Sequence, residues 1–199
     1  MADISENGKK ALRIIFTDLL NSYNSYSIKD KIGISDVGSL KLLRNLRAKN
    51  ILMSEKIGNA IFYKINLKSD YALKLLELIF LDHGNLSSFV KGWIYDLREF
   101  APLTKAILLF GSILRKGKSA GDVDVCFILK NHKDYAKLQS RVEEVNKKNR
   151  LKIHPLYLNK KDFEEKLREK DKPLIDMVKN CVVVHGEDLF VEVLKNAQS

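Results

Sequence analysis

Apolar positions along this chain repeat with two different periods, and the changes of period mark its elements. Between Lys9 and Asn24, Leu12, Ile15, Phe16 and Leu19 recur at i, i+3, i+4 and i+7, the stripe of a core-facing helix. Ser27-Ile28-Lys29-Asp30 reads as a capping-box start for a short second helix that stops at Gly33. Ser35 or Asp36 can cap a third helix through about Lys49, burying Leu42, Leu43 and Leu46. Ile51–Ser54, a turn at Gly58-Asn59 and Ile61–Leu67 then predict a β-hairpin. Asp70 can cap a helix over Tyr71–Leu81 that is apolar nearly all round, interrupted only by Lys74 and Glu77. Such a helix needs cover on more than one side. It either packs between two modules or forms the seam of a homodimer, and the seam is the reading taken forward. His83-Gly84-Asn85 ends it and divides the chain into residues 1–83 and 84–199, with His83 expected against the helix's last carbonyls.

In the second part, Asn85 is expected to cap a helix whose Leu86, Phe89, Val90, Trp93, Ile94 and Leu97 form one stripe, which makes Trp93 a core residue. Strands are predicted over Lys105–Phe110 and about Val123–Leu129, and Tyr135, Leu138, Val142 and Val145 mark the next helix. Leu151–Leu158 reads as a third strand in which Pro155 requires an edge position or an irregularity. Two short helices (Asp162–Lys170, Pro173–Asn180), a strand at Cys181–Val184 and a closing helix over Glu187–Ala197 complete the pattern. Helices alternating with a few short strands indicate an α/β or α+β fold.

Composition narrows this. The chain has 199 residues, 45% hydrophobic and 30% charged, which suits one large folded domain or two small ones and excludes a disordered chain. A net charge of +10 favours a polyanionic partner, and the basic excess is spread over both parts rather than held in a tail. Cys126 and Cys181 each sit inside an apolar run, so buried free thiols and a reducing compartment are expected. With four scattered histidines they give no zinc-ligand spacing. No apolar run approaches the ~20 residues of a membrane span, and the acidic N-terminus lacks the apolar core of a secretory signal. The expected location is cytoplasmic.

The candidate chemistry lies where one apolar run, Ala106–Phe110, ends in Gly111-Ser112 and another opens with Asp122-Val123-Asp124. Side-chain direction alternates along a strand, so Asp122 and Asp124 share a face. Paired carboxylates beside a small Gly-Ser corner can hold a divalent cation carrying a phosphate chain. Asp124 falls inside an otherwise apolar strand, where an unpaired charge is expensive. Gly117-Lys118-Ser119 ends like a P-loop, but Gly111 precedes Gly117 by one residue too many, so that reading is rejected.

Gly111-Ser112 at the end of one strand and Asp122-x-Asp124 on the next resemble the minimal nucleotidyltransferases of the DNA polymerase β superfamily, over Asn85 to about Leu194. The resemblance implies a small mixed sheet flanked by helices, with Asp122 and Asp124 as ligands of Mg²⁺ (or Mn²⁺). Gly111 would allow close backbone approach, and Ser112 would bind a phosphate oxygen. Arg115, Lys116 and Lys118 either neutralise the triphosphate or are simply solvated. Members of the family usually add a third carboxylate from the next strand. Here that position is matched by His154, which either accepts a proton or binds metal, or is an ordinary strand residue.

Residues 9–67, three helices followed by a two-stranded ribbon, resemble a winged helix-turn-helix domain. That likeness implies a third helix presenting Lys41, Arg44, Arg47 and Lys49 to DNA, with Lys56 near the hairpin tip approaching phosphates. The four basic residues and no acid between Val37 and Asn50 favour DNA over a merely solvated face, while the same fold also docks proteins. The combined expectation is metal-dependent transfer of a nucleoside monophosphate from an NTP, with ATP expected, to a hydroxyl. The acceptor would belong to a protein, nucleic acid or small molecule. The alternative is a DNA-binding regulator, or an antitoxin with a toxin partner, whose nucleotidyltransferase domain senses nucleotide or is inactive.

Overall fold

The structure, a computed structural model, describes residues 4–198; Met1–Asp3, part of the N-terminus read for a secretory signal, and Ser199 lie outside the described residues. The chain forms two compact units, Met1–Ile79 and Phe80–Ser199. Among the described residues no helix is long and apolar enough to cross a membrane.

In the first unit α1 (Glu6–Thr17) is capped by Ser5, whose hydroxyl accepts from Gly8 N at 3.2 Å. It stops short of the predicted stripe, leaving Leu19 in the following turn. Asp18 is the reason. Its carboxylate, in a residue only 5% exposed, accepts from Leu20 N at 3.2 Å and from the Tyr23 hydroxyl at 2.6 Å. The chain is thereby turned so that Tyr23–Asn24 becomes β1. Burial and the Asp18 carboxylate together hold the Tyr23 phenol well above its ordinary pKa.

Next, α2 (Ser25–Ile32) begins before the predicted start, because Asn24 and not Ser27 is its cap. Asn24 Oδ1 accepts from Ser27 N at 2.8 Å and Ser27 Oγ accepts from Asn24 N at 3.0 Å, a reciprocal capping box. Gly33 closes the helix at φ 71°, a conformation that favours glycine. Ser35 caps α3 (Asp36–Ala48), in which Leu43 and Leu46 are buried and Leu42 only half-buried. The hairpin β2 (Leu52–Ile57) and β3 (Ala60–Ile65) completes an antiparallel sheet in the order β1-β3-β2, with Tyr23 opposite Tyr63. Then α4 (Asp70–Leu81), whose last two residues belong to the second unit, buries Ala72, Leu76 and Ile79 while leaving Tyr71, Leu78 and Leu81 between 44% and 49% exposed.

The second unit is a mixed α+β arrangement. After α5 (Ser88–Leu97), capped by Ser87 rather than Asn85, a 3-10 turn containing Pro102 leads into β4 (Thr104–Phe110). A single turn α6 (Ile113–Lys116) and a 3-10 turn (Gly117–Ser119) connect to β5 (Asp122–Leu129). The chain continues through α7 (Asp134–Lys148), β6 (Lys152–Leu158), α8 (Lys160–Arg168), α9 (Lys172–Asn180), β7 (Val182–His185) and α10 (Glu187–Ala197). The sheet order is β6-β5-β4-β7, with β6 parallel to β5 and β4 antiparallel to both its neighbours. Pro155 therefore sits on an edge strand, where its missing N–H breaks no ladder.

One face of this sheet carries Ile107, Leu109, Val123, Val125 and Phe127, packed in one core with Trp93 of α5 and Leu138 and Val142 of α7. The other face of β5 carries Cys126 and Ile128, both wholly buried, with α8 packed on the strand. Asp122 and Asp124 alternate onto that second face at the start of β5. Cys126 and Cys181 are both buried thiols, and burial pushes the Cys126 thiol far above its usual range. His83 does not serve the last carbonyls of its own helix; its Nε2 lies 2.7 Å from Val183 O on β7.

Candidate active site

Strand pairing assembles the site. Phe110 at the end of β4 is opposite Asp124 on β5, and on the other side Asp122 is in register with Lys152 and Asp124 with His154 on β6. Gly111, Asp122, Asp124 and His154 thus meet at one end of the sheet from three adjacent strands. Ligand atoms of Asp122, Asp124 and His154 lie within 4.8 Å of one another. His154 Nδ1 is 3.2 Å from Asp124 Oδ1, with the Asp124 side chain 21% and the imidazole 75% exposed.

Gly111 is dictated by this geometry. Its φ of 80° already disfavours a side chain, and a Cβ there would stand 1.9 Å from Asp124 Oδ2 and 2.7 Å from its Cγ. Glycine keeps open the space in front of the Asp124 carboxylate. Two carboxylates and an imidazole converging on such a space fit the oxygen-rich donor set of a divalent cation. Ser112 begins α6, its carbonyl accepting from Lys116 N at 2.8 Å while its hydroxyl makes no capping bond. Arg115, Lys116 and Lys118 are all exposed on the connection that follows.

The edge strand that brings in His154 is held by residues the sequence pattern did not single out. Asn146 of α7 clamps both main-chain groups of Ile153, donating to its carbonyl at 3.0 Å and accepting from its N–H at 2.7 Å. Lys152 Nζ donates to the carbonyls of Asn146 and Asn149, at 2.6 Å in the latter case, and so satisfies the end of α7. These bonds seat the edge strand one residue from His154. Asn146 alone of them carried a signal, as a polar residue directly after Val145 of the α7 stripe.

Lys118 also lines a cleft of about 520 Å³ with Phe89, Trp93 and Arg150. In the first unit Lys41, Arg44 and Arg47 are exposed on α3, Lys49 is exposed at its C-cap, and Lys56 is exposed on β2 opposite Ile61. Lys41 and Lys49 border a cleft of about 390 Å³ beside Ile4 and Ser5, whereas Arg44 and Arg47 line another one.

No curated protein and no solved structure matches the chain. Residues 89–184 match the family model described as "Nucleotidyltransferase domain", a span that holds Gly111, Ser112, Asp122, Asp124 and His154. Domains of that family generally transfer a nucleoside monophosphate with the help of divalent metal, and it is to them that the α5–β7 segment of this chain is similar.

Proposed function

We propose that the second unit transfers a nucleoside monophosphate, AMP from ATP in the expected case, to a hydroxyl acceptor. The observation that carries this reading is the Asp122–Asp124 pair facing a corner that only glycine at position 111 leaves open. Mg²⁺ or Mn²⁺, held by these carboxylates, would neutralise charge on the phosphates and polarise the α-phosphorus.

The chain's own groups supply position and proton handling. Gly111 lets the triphosphate approach the main chain, and the Ser112 hydroxyl, which makes no capping bond, donates in this reading to a phosphate oxygen. Arg115 and Lys118 offset charge from the exposed connection. With Nδ1–H donated to Asp124, His154 has Nε2 as its basic nitrogen and takes the proton of the attacking hydroxyl. The acceptor oxygen bonds to the α-phosphorus as the bond to the pyrophosphate oxygen breaks.

The first unit, with its helices, ribbon and the basic α3, acts in this reading as a winged helix that docks DNA through Lys41, Arg44, Arg47, Lys49 and Lys56, or a protein acceptor. Residues 1–83 and 84–199 are the functional modules, and the exposed Tyr71, Leu78 and Leu81 of α4 support a homodimer seam. The reading places the protein in the cytoplasm. A second reading is favoured by His154 standing where the resemblance calls for a third carboxylate: a DNA-binding regulator, or an antitoxin paired with a toxin, whose second unit senses nucleotide without transfer.

The test is incubation with α-labelled NTP, Mg²⁺ or Mn²⁺ and candidate acceptors. Incorporation by wild type that is lost in Asp122→Asn and Asp124→Asn supports transfer. Metal-dependent nucleotide binding without incorporation supports the sensing reading.

A further inference from the structure

The cleft holding Lys118 does not end at Trp93. A second cleft, about 700 Å³, shares Asp96 and Asn149 with it, so the two form one groove between α5 and the C-terminal end of α7. One end of the groove is tied to the active site through the chain. Ala120 immediately precedes Gly121-Asp122, with Lys118 two residues before it, and Leu151 immediately precedes Lys152, the register partner of Asp122. The other end is bordered by Tyr95 and Lys148.

Its surface chemistry has two components. Aromatic faces recur along α5, with Phe89 and Trp93 walling the first cleft and Tyr95, 79% exposed, standing at the second. Tyr95 lies off the buried stripe of α5, so packing does not account for it. Gly92 between them leaves the wall open, since a Cβ there would meet nothing within 4 Å. Cations supply the second component: Lys118, Arg150, Lys148 and Arg98 against Asp96 and Glu99. The charge of Glu99 is partly met by Arg141 at 3.6 Å.

We infer that this groove binds single-stranded nucleic acid, its bases stacking on Tyr95 and Phe89 and its phosphates following Lys148, Arg150 and Lys118 toward the carboxylates. An exposed tyrosine and a half-buried phenylalanine set beside cations suit unpaired bases, which present π-faces that a duplex keeps inside its stack. On the transferase reading, such a strand is the hydroxyl acceptor; the binding itself needs neither metal nor chemistry.

Trp93 is the chain's single tryptophan and lines this groove, so its emission reports on the groove. The full chain is titrated with a mixed-sequence single-stranded oligonucleotide and with the corresponding duplex, in EDTA so that the carboxylate site contributes no metal-dependent binding. The expected result is saturable quenching by the single strand, weakened by salt. Affinity falls about tenfold or more in Tyr95→Ala and in Lys148→Ala/Arg150→Ala, all at exposed positions. Unchanged Trp93 emission, equal quenching by the duplex, or groove variants that bind like wild type would overturn the inference. Quenching that persists while label incorporation is absent removes the transferase reading and leaves the groove. Incorporation without quenching does the reverse.

Discussion

Replacing Gly111 by alanine separates backbone strain from the geometry of the carboxylate pair. A side chain at φ 80° costs about 1–3 kcal/mol in backbone strain wherever it occurs. At Gly111 the new methyl would also stand 1.9 Å from Asp124 Oδ2, so the carboxylate must swing away. That motion breaks its 3.2 Å contact with His154, worth about 0.5–1.5 kcal/mol in a typical hydrogen bond and toward the low end for so exposed an imidazole. Gly117→Ala is the control, because φ is again positive at 53° but a Cβ meets nothing within 4 Å. Urea unfolding should show both variants destabilised by a similar amount, within about 1 kcal/mol of each other. Mn²⁺ binding, followed by electron paramagnetic resonance, should be weakened tenfold or more in Gly111→Ala and stay near wild type in Gly117→Ala. Equal Mn²⁺ affinity in the two variants would refute the claim that Gly111 is there for Asp124.

His154→Ala should lower the rate of nucleotidyl transfer by about 10²-fold or more, as for the loss of a general base, with His154→Asp recovering part of it as a carboxylate at the same register position; a single-turnover assay in which Ala matches wild type would contradict a proton-accepting role. Tyr23→Phe should cost about 1.5–3 kcal/mol in urea unfolding, because it leaves the buried Asp18 carboxylate without its 2.6 Å donor; a loss below about 0.5 kcal/mol would show that other donors suffice. Burial and the neighbouring Tyr135 and Glu143 push the Tyr157 phenol up to about 12, and its hydroxyl is buried without a hydrogen-bond partner. A raised folded-state pKa means stability is complete below the unfolded value of 10.0 and falls as pH rises toward 12. Tyr157→Phe should flatten that decline, measured as the unfolding midpoint at pH 9 and pH 11; an unchanged slope would refute it.

The β4–corner–β5 segment was legible because its information is local. Two apolar runs set the strands, and period-two alternation alone places Asp122 and Asp124 on one face. Pro155 called for an edge position or an irregularity in β6, and the strand lies at the sheet's edge. What the pattern misjudged depends on distant partners. Leu19 completes a helical stripe, yet Asp18 and Tyr23 turn the chain to pair β1 with Tyr63 and Phe62, far along the sequence. His83 finds a carbonyl one hundred residues away rather than in its own helix. The groove was hidden for another reason. Trp93 fits the buried stripe of α5 and is only 7% exposed, so the stripe accounted for it fully. Tyr95, off that stripe, was the visible sign that the helix has a second working side.

The decisive property of the second unit is whether Asp122 and Asp124 carry a metal-bound nucleotide. Isothermal titration of ATP into wild type and Asp124→Asn, with Mg²⁺ and then with EDTA, measures this without requiring any acceptor. The prediction is one-site binding that needs Mg²⁺ and weakens tenfold or more in Asp124→Asn, while the unfolding midpoint is retained. Binding that is indifferent to Mg²⁺ and to the substitution would contradict it.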